Sequence, residues 1–379
     1  MLLRSLGAAS VLAVVPLTTA FAPADLPVGT VLSRACIAEQ LAGMDLTDRV
    51  GQLLMIGVPA DNTAGAKAAI ASYKVGGIFL AGRSYRSVAE IRNDTDAIVS
   101  LSKRWTGMAG YVAVDQEGGA VVSLRGPGFT QPPSALRQGD LSATALRSQT
   151  AAWSGQLRAA GITLNLAPVA DTVSITPDAN PPIGAFNRHY GDDPASVSRA
   201  MNIVVPAMQS RGVSATLKHF PGLGRVRYNT DTSTLAKDSV ATYTDPHLAP
   251  FGAGIRAGAR AVMLSSALYP KLDPNRPAVH SRAIVTGLLQ EQLGFDGMVM
   301  TDDIGAAAAL RGVPLGERAV RFIEAGGHLV LSVRTADAGP LSRAVVARAQ
   351  ANAVFRGRVN AAAARVIQSK IDAGLVFCA

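Results

Sequence analysis

The sequence predicts a single-domain α/β protein folded as a (β/α)8, TIM-type barrel. Three observations predict it. Short, nearly uninterrupted apolar runs recur along the chain and stop at polar residues or glycine. Longer segments with helical spacing lie between them. The chain has 379 residues, 48% of them hydrophobic and 17% charged, which suits one large core and is far too apolar for a disordered chain.

The strand candidates follow in order. Gln52–Val58 opens the series and Gly77–Ala81 comes next. Tyr111–Asp115 closes on a carboxylate, and Thr163–Val169 is followed by Asp171. Ser214–His219 closes on Lys218 and His219, Ala261–Ser266 on two serines, and Met298–Asp302 on Asp302 with Asp303 behind it. His328–Val333 completes eight. Helical segments rich in Ala, Arg, Glu and Gln separate or follow them: Ser87–Trp105, Ala143–Ala160, Pro194–Arg211, Ala283–Leu293 and Leu341–Ala373. Apolar strands alternating with helices indicate a parallel sheet buried on both faces. A doubly wound sheet would want a glycine-rich turn after its first strand, and Pro59-Ala60-Asp61 is not one. No linker or low-complexity stretch divides the chain, so the barrel is expected over residues 30–379.

Composition bounds the setting. The formal charge is +9, from 36 basic and 27 acidic residues. The basic residues are scattered rather than clustered, which argues against a nucleic-acid partner. Residues 1–20 have the layout of a secretory signal peptide: Arg4, an apolar stretch through Val15, then Pro16 and the small-residue site Thr18-Thr19-Ala20. The apolar core is too short to span a membrane, so no stable insertion is expected after cleavage, and the destination is the cell envelope or the exterior. The two cysteines, Cys36 and Cys378, are candidates for a disulfide in an oxidising compartment. That bridge needs the two ends of the mature chain to meet, which a closed barrel permits.

In a barrel, all strand C-terminal ends share one face, and active sites form there. Lys218, His219, Asp115, Asp171, Asp302 and Asp303 therefore converge on a candidate pocket, although any one of them alone could be a helix N-cap. The five histidines have no zinc spacing, and there is no serine elbow and no P-loop. Gly252, Gly254 and Gly258 precede a strand, so helix packing and a helix end explain them better than a dinucleotide fingerprint does. No metal or organic cofactor is implied.

At these residues a family becomes visible. Lys218-His219-Phe220-Pro221-Gly222-Leu223-Gly224 resembles the K-H-F-P-G-H-G motif of glycoside hydrolase family 3. Val50–Met55 is similar to the family's opening strand, Val114-Asp115-Gln116-Glu117-Gly118-Gly119 to its D-Q-E-G-G turn, and Asn165–Asp171 to its fourth strand. Leu293–Gly297 with Thr301-Asp302-Asp303 resembles the segment that carries the nucleophile. The agreement is collinear over almost the whole mature chain. A barrel without the sandwich domain of larger members resembles the NagZ-like β-N-acetylglucosaminidases, which release N-acetylglucosamine from peptidoglycan fragments or related glycans.

The resemblance implies a retaining glycosidase with Asp302 as nucleophile and with Asp115, Arg125, Arg188, Lys218 and His219 binding the sugar, a monomer being favoured. A buried salt-bridge network supporting the barrel mouth is the competing role for the charged set. The proton donor departs from the pattern. Relatives carry a D-S-H dyad on the loop after K-H-F-P-G, whereas the aligned triplet here is Asn229-Thr230-Asp231. Asp231 stands where the histidine would be and becomes the candidate acid/base, with Asp238 as another loop carboxylate. Arg225 and Arg227 would oppose protonation of Asp231 if they pointed inward. Leu223 replaces the motif's second histidine, and Ala120 and Ser123 replace two arginines after the D-Q-E-G-G turn. Three readings stay open: a β-N-acetylhexosaminidase, a family 3 hydrolase of another specificity such as a β-glucosidase, or a non-catalytic glycan-binding barrel.

Overall fold

A computed structural model describes residues 28–378; the expected signal peptide lies outside them. The eight expected strands all form and are designated β1 Leu54–Pro59, β2 Gly77–Ala81, β3 Tyr111–Val114, β4 Leu164–Asn165, β5 Ser214–Phe220, β6 Ala261–Leu264, β7 Met298–Thr301 and β8 Val330–Ser332. Neighbours pair in parallel through the series from β7 back to β1, and β1 pairs with β8. A bridge between Met300 and Leu329 brings β7 against β8 and closes the barrel.

The strands are buried almost throughout, as the apolar runs require: β3, β5, β6 and β7 have no exposed residue. β4 was expected over seven residues but keeps a regular ladder only at Leu164 and Asn165. Pro168 has no amide hydrogen to continue it. The strand resumes as a single bridge between Val169 and Lys218, which still delivers Asp171 to the barrel mouth.

Helices wrap the outside. Val88–Thr106 starts at a capping box formed by Ser87 and Glu90. Ala143–Ala159 and Pro194–Gln209 match their expected spans, with Asp193 capping the latter. Two segments differ from expectation. Ala283–Gln292 winds as a π-helix. The stretch expected as Leu341–Ala373 divides into Ala338–Ala351 and Ala353–Asp372, because Asn352 is extended and its side chain caps the Phe355 amide. The glycines before β6 are packing devices, as expected. A Cβ at Gly254 would meet Leu217 at 2.5 Å, and Gly258 follows the helix Ala249–Arg256 with φ +85°.

Cys36 and Cys378 form a disulfide with Cα atoms 5.5 Å apart, joining the first helix to the last turn of the described chain. Cys36 packs with Met44, Met108, Ile367 and Val376. Met108 immediately precedes β3, so this satellite core lies at the barrel end opposite the strand C-termini. No helix among the described residues is long and apolar enough to cross a membrane.

Candidate active site

The C-terminal ends of the strands surround a cavity of about 240 Å³. Asp115, Arg188, Lys218, His219, Asp231, Asp302 and Asp303 all line it, with Phe79, Leu166, Met263 and Leu331 forming an apolar floor and wall. Polar groups converging in a hollow at this end of a barrel are the arrangement expected of an active site.

The charged side is organised by a residue that sequence reasoning quoted only as part of a motif, Glu117. Its carboxylate takes two hydrogen bonds from Arg188, Nε to Oε2 at 2.8 Å and Nη2 to Oε1 at 2.7 Å. It also pairs with Lys218 Nζ at 2.6 Å. Lys218 reaches Asp115 as well, Nζ to Oδ1 at 2.6 Å. Burial pushes the Glu117 carboxyl up, but Arg188 and Lys218 outweigh it and hold the pKa at about 2. Burial opposes the charge on Lys218, yet Asp115 and Glu117 keep its pKa above the ordinary lysine value. Two buried cations thus face two carboxylates, so the expected salt-bridge network forms, and it contains three of the expected sugar ligands, Asp115, Arg188 and Lys218.

The D-Q-E-G-G turn makes this possible. Gly118 and Gly119 have φ of +115° and +58°, and a Cβ at Gly118 would meet the Pro133 carbonyl at 2.1 Å. The turn can therefore fold tightly enough to send Glu117 into the barrel mouth. Its motif was visible in the sequence; the direction of the side chain was not.

His219 is fixed by Asp171. The carboxylate accepts from the imidazole at Nδ1, 2.7 Å away, and from the His219 amide at 3.1 Å and the Leu223 amide at 2.8 Å. With Nδ1 engaged by Asp171, the other ring nitrogen, Nε2, lies 3.5 Å from Arg188 Nη2. His219 thus lines the pocket with its ring orientation set by Asp171.

Asp302 follows β7 directly, and its Oδ1 accepts from the Asp303 amide at 2.8 Å. Asp303 lines the same cavity but is occupied with structure. Its carboxylate accepts from the amides of Gly305, Ala306 and Val333 at 2.9, 2.9 and 3.0 Å. Burial nonetheless raises its pKa.

Asp231 reaches the pocket from the loop after β5. The Asn229 side chain accepts from the Asp231 amide at 2.8 Å, and the Thr230 and Asp231 carbonyls accept from the Ala309 and Ala308 amides at 3.0 and 3.3 Å. These contacts tie the triplet to the segment that follows Asp302. Asp231 as a residue is exposed, but its carboxyl faces the pocket wall and the Asp302 charge, and these raise its pKa to about 6 against the weaker pull of His219 and Arg188.

Other expected participants lie elsewhere. Arg225 does not oppose Asp231: it turns away to pair with Asp238, Nε to Oδ2 at 2.8 Å, and with Asp245, Nη2 to Oδ2 at 2.5 Å. Asp238 is therefore a buried structural carboxylate, also capping the Val240 and Ala241 amides, and not a pocket acid. Arg125 was expected to bind the sugar, but it does not line the cavity; its Nε donates to the Val122 carbonyl of its own turn at 3.1 Å. Among the described residues, no group of three or more His, Cys, Asp or Glu side chains is placed to hold a metal ion.

A buried-strand barrel with several carboxyls and a cationic wall in one small pocket is the arrangement of a glycosidase. Residues 45–369 match the model of the glycosyl hydrolase family 3 N-terminal domain, and the chain belongs to that family. It is 34% identical over 288 residues to a β-hexosaminidase of Stenotrophomonas maltophilia, covering 74% of this chain and 82% of that one. It is 33% identical over 271 residues to a β-hexosaminidase of Xanthomonas oryzae, covering 68% and 76%. Its fold superposes on the crystal structure of a β-N-acetylhexosaminidase from Beutenbergia cavernae with a TM-score of 0.85 and 44% identity, covering 87% of this chain and 99% of that one. A family 3 β-N-acetylglucosaminidase from Paenibacillus gives a TM-score of 0.82 at 30% identity, covering 89% and 64%.

Proposed function

We propose that the protein is a retaining β-N-acetylhexosaminidase that removes terminal β-linked N-acetylglucosamine from peptidoglycan-derived or related glycans outside the cytoplasm. The observation that carries this reading is the placement of Asp231 and Asp302 in one pocket, where burial and the Asp302 charge raise the pKa of Asp231 to about 6. Similarity to β-hexosaminidases supports the sugar, and the Cys36–Cys378 disulfide supports an oxidising compartment.

Lys218, Asp115, Arg188 and His219 bind the hydroxyls of the terminal sugar and hold its anomeric carbon over Asp302. Asp302 attacks that carbon while Asp231, protonated near pH 6, gives its proton to the leaving oxygen; the glycosidic bond breaks as the Asp302–sugar bond forms. Asp231, now ionised, takes a proton from water, which attacks the anomeric carbon and frees Asp302. The Asp302 carboxylate and the Glu117-anchored cations leave a glycan-binding role without hydrolysis unsupported, since binding needs no nucleophile.

The test is to trap the intermediate. Asp231→Ala lacks the base for the second step, so with an aryl β-N-acetylglucosaminide bearing a good leaving group it should accumulate one N-acetylhexosaminyl unit on the peptide containing Asp302. No adduct, or an adduct on another peptide, contradicts the mechanism.

A further inference from the structure

The cavity of about 240 Å³ is smaller than the roughly 300–1,000 Å³ usual for ligand pockets, which leaves room for about one sugar ring. Whatever follows the scissile bond must lie outside it, on the loops around the mouth. Several aromatic side chains are exposed on those loops, and two of them stand beside pocket-lining residues in the chain. Phe186 is 51% exposed and Tyr228 48% exposed. Phe186 is two residues before Arg188, and Tyr228 is next to Asn229, both of which line the pocket.

Their backbones are rigidly placed. Asn180 joins the two loops: its Nδ2 donates to the carbonyls of Leu223 and Val226 at 2.8 and 2.7 Å, and its Oδ1 accepts from the Gly184 amide at 2.7 Å. Asn180 itself is fully buried. The turn carrying Phe186 is closed by Phe186 N to Ile183 O at 3.2 Å and ends at Asn187, whose φ of +53° is left-handed. Beyond Tyr228, Thr230 is buried and its carbonyl is tied to Ala309. Rings held in water on ordered backbone offer flat apolar faces at little entropic cost on binding. A β-linked pyranose has flat faces of axial C–H groups that match them.

Resting on the reading above, we infer that Phe186 and Tyr228 form a stacking platform for the sugar units on the leaving-group side of the scissile bond. The platform selects β-linked oligosaccharides over short aglycones. Occupancy contributes to kcat/KM mainly through KM, because these rings are remote from the bond that breaks.

The experiment compares kcat/KM for the β-1,4-linked trisaccharide of N-acetylglucosamine with that for p-nitrophenyl β-N-acetylglucosaminide, whose aryl ring reaches only the first position outside the pocket. In Phe186→Ala/Tyr228→Ala, the trisaccharide-to-aryl ratio should fall at least tenfold. Phe186→Tyr should keep the ratio, and Phe186→Leu, apolar but without a ring, should lower it. An unchanged ratio in the double variant, or full retention by Phe186→Leu, overturns the platform while leaving the hexosaminidase reading intact. A wild-type protein that cleaves neither substrate removes that reading, and the platform with it.

Discussion

Asp231 and Asp302 share one pocket but follow different strands, β5 and β7, and the charge of Asp302 adds to burial in raising the Asp231 pKa to about 6. A carboxyl with a raised pKa beside a second carboxyl is what an acid–nucleophile division of labour requires. The loop that lacks the family's histidine therefore still brings a carboxyl with a raised pKa to the site.

Asp302→Asn keeps the shape of the side chain and removes its nucleophilicity. Turnover of any β-N-acetylglucosaminide should fall at least about a thousand-fold, with thermal stability unchanged or raised. Steady-state kinetics beside a melting curve checks both halves.

Asp231→Asn should separate substrates by leaving group. Those with poor leaving groups need the proton and should lose on the order of 100-fold or more, and activated aryl glycosides much less. In the wild type, kcat/KM for a poor leaving group should decline as pH rises through about 6, and the variant should lack that limb. Stability follows the same sign. The folded pKa lies above the ordinary 3.8, so this group's contribution is full below about pH 4 and is lost as pH rises through about 6. The variant should lose less stability than the wild type over that window.

Glu117→Gln leaves Arg188 and Lys218 buried with one anion fewer. Removing one partner from such a network costs about 3–5 kcal/mol, to be read from the midpoint of denaturant unfolding. Activity should fall as well, since both cations line the pocket.

Lys370 is fully buried on the last helix, its Nζ donating to Gln52 Oε1 at 2.6 Å, and burial lowers its pKa to about 7. Between about pH 7 and 10 the unfolded chain holds the extra proton, so stability should rise with pH by up to about 1.4 kcal/mol per unit from this group. Lys370→Met should flatten that slope relative to wild type between pH 7.5 and 9.

Reducing the Cys36–Cys378 bridge releases a loop spanning a sequence separation of 342 residues. In the entropic model the loss is about 4–5 kcal/mol. Because the bridge lies at the opposite barrel end from the pocket, turnover at room temperature should survive while the melting temperature drops by several degrees.

The barrel was legible because parallel strands buried on both faces leave uninterrupted apolar runs, and all eight were found. Their terminal residues named Lys218, His219, Asp115 and Asp302 correctly as neighbours. What was not legible depends on side-chain direction. Glu117 reads as one letter of a turn motif, and only the fold of Gly118 and Gly119 shows that it anchors Arg188 and Lys218. Arg125 reads as a sugar ligand but bonds its own turn, and Arg225 and Asp238, on the same loop as Asp231, satisfy each other away from it. The break at Asn352 depends on a single cap inside a long Ala-rich helical pattern.

The most direct measurement is hydrolysis of an aryl β-N-acetylglucosaminide beside the matching aryl β-glucoside, by wild type and by Asp302→Asn. The account predicts turnover of the N-acetyl substrate by the wild type, little or none of the glucoside, and none of either by the variant. Preference for the glucoside, or activity that survives loss of the Asp302 carboxylate, would contradict it.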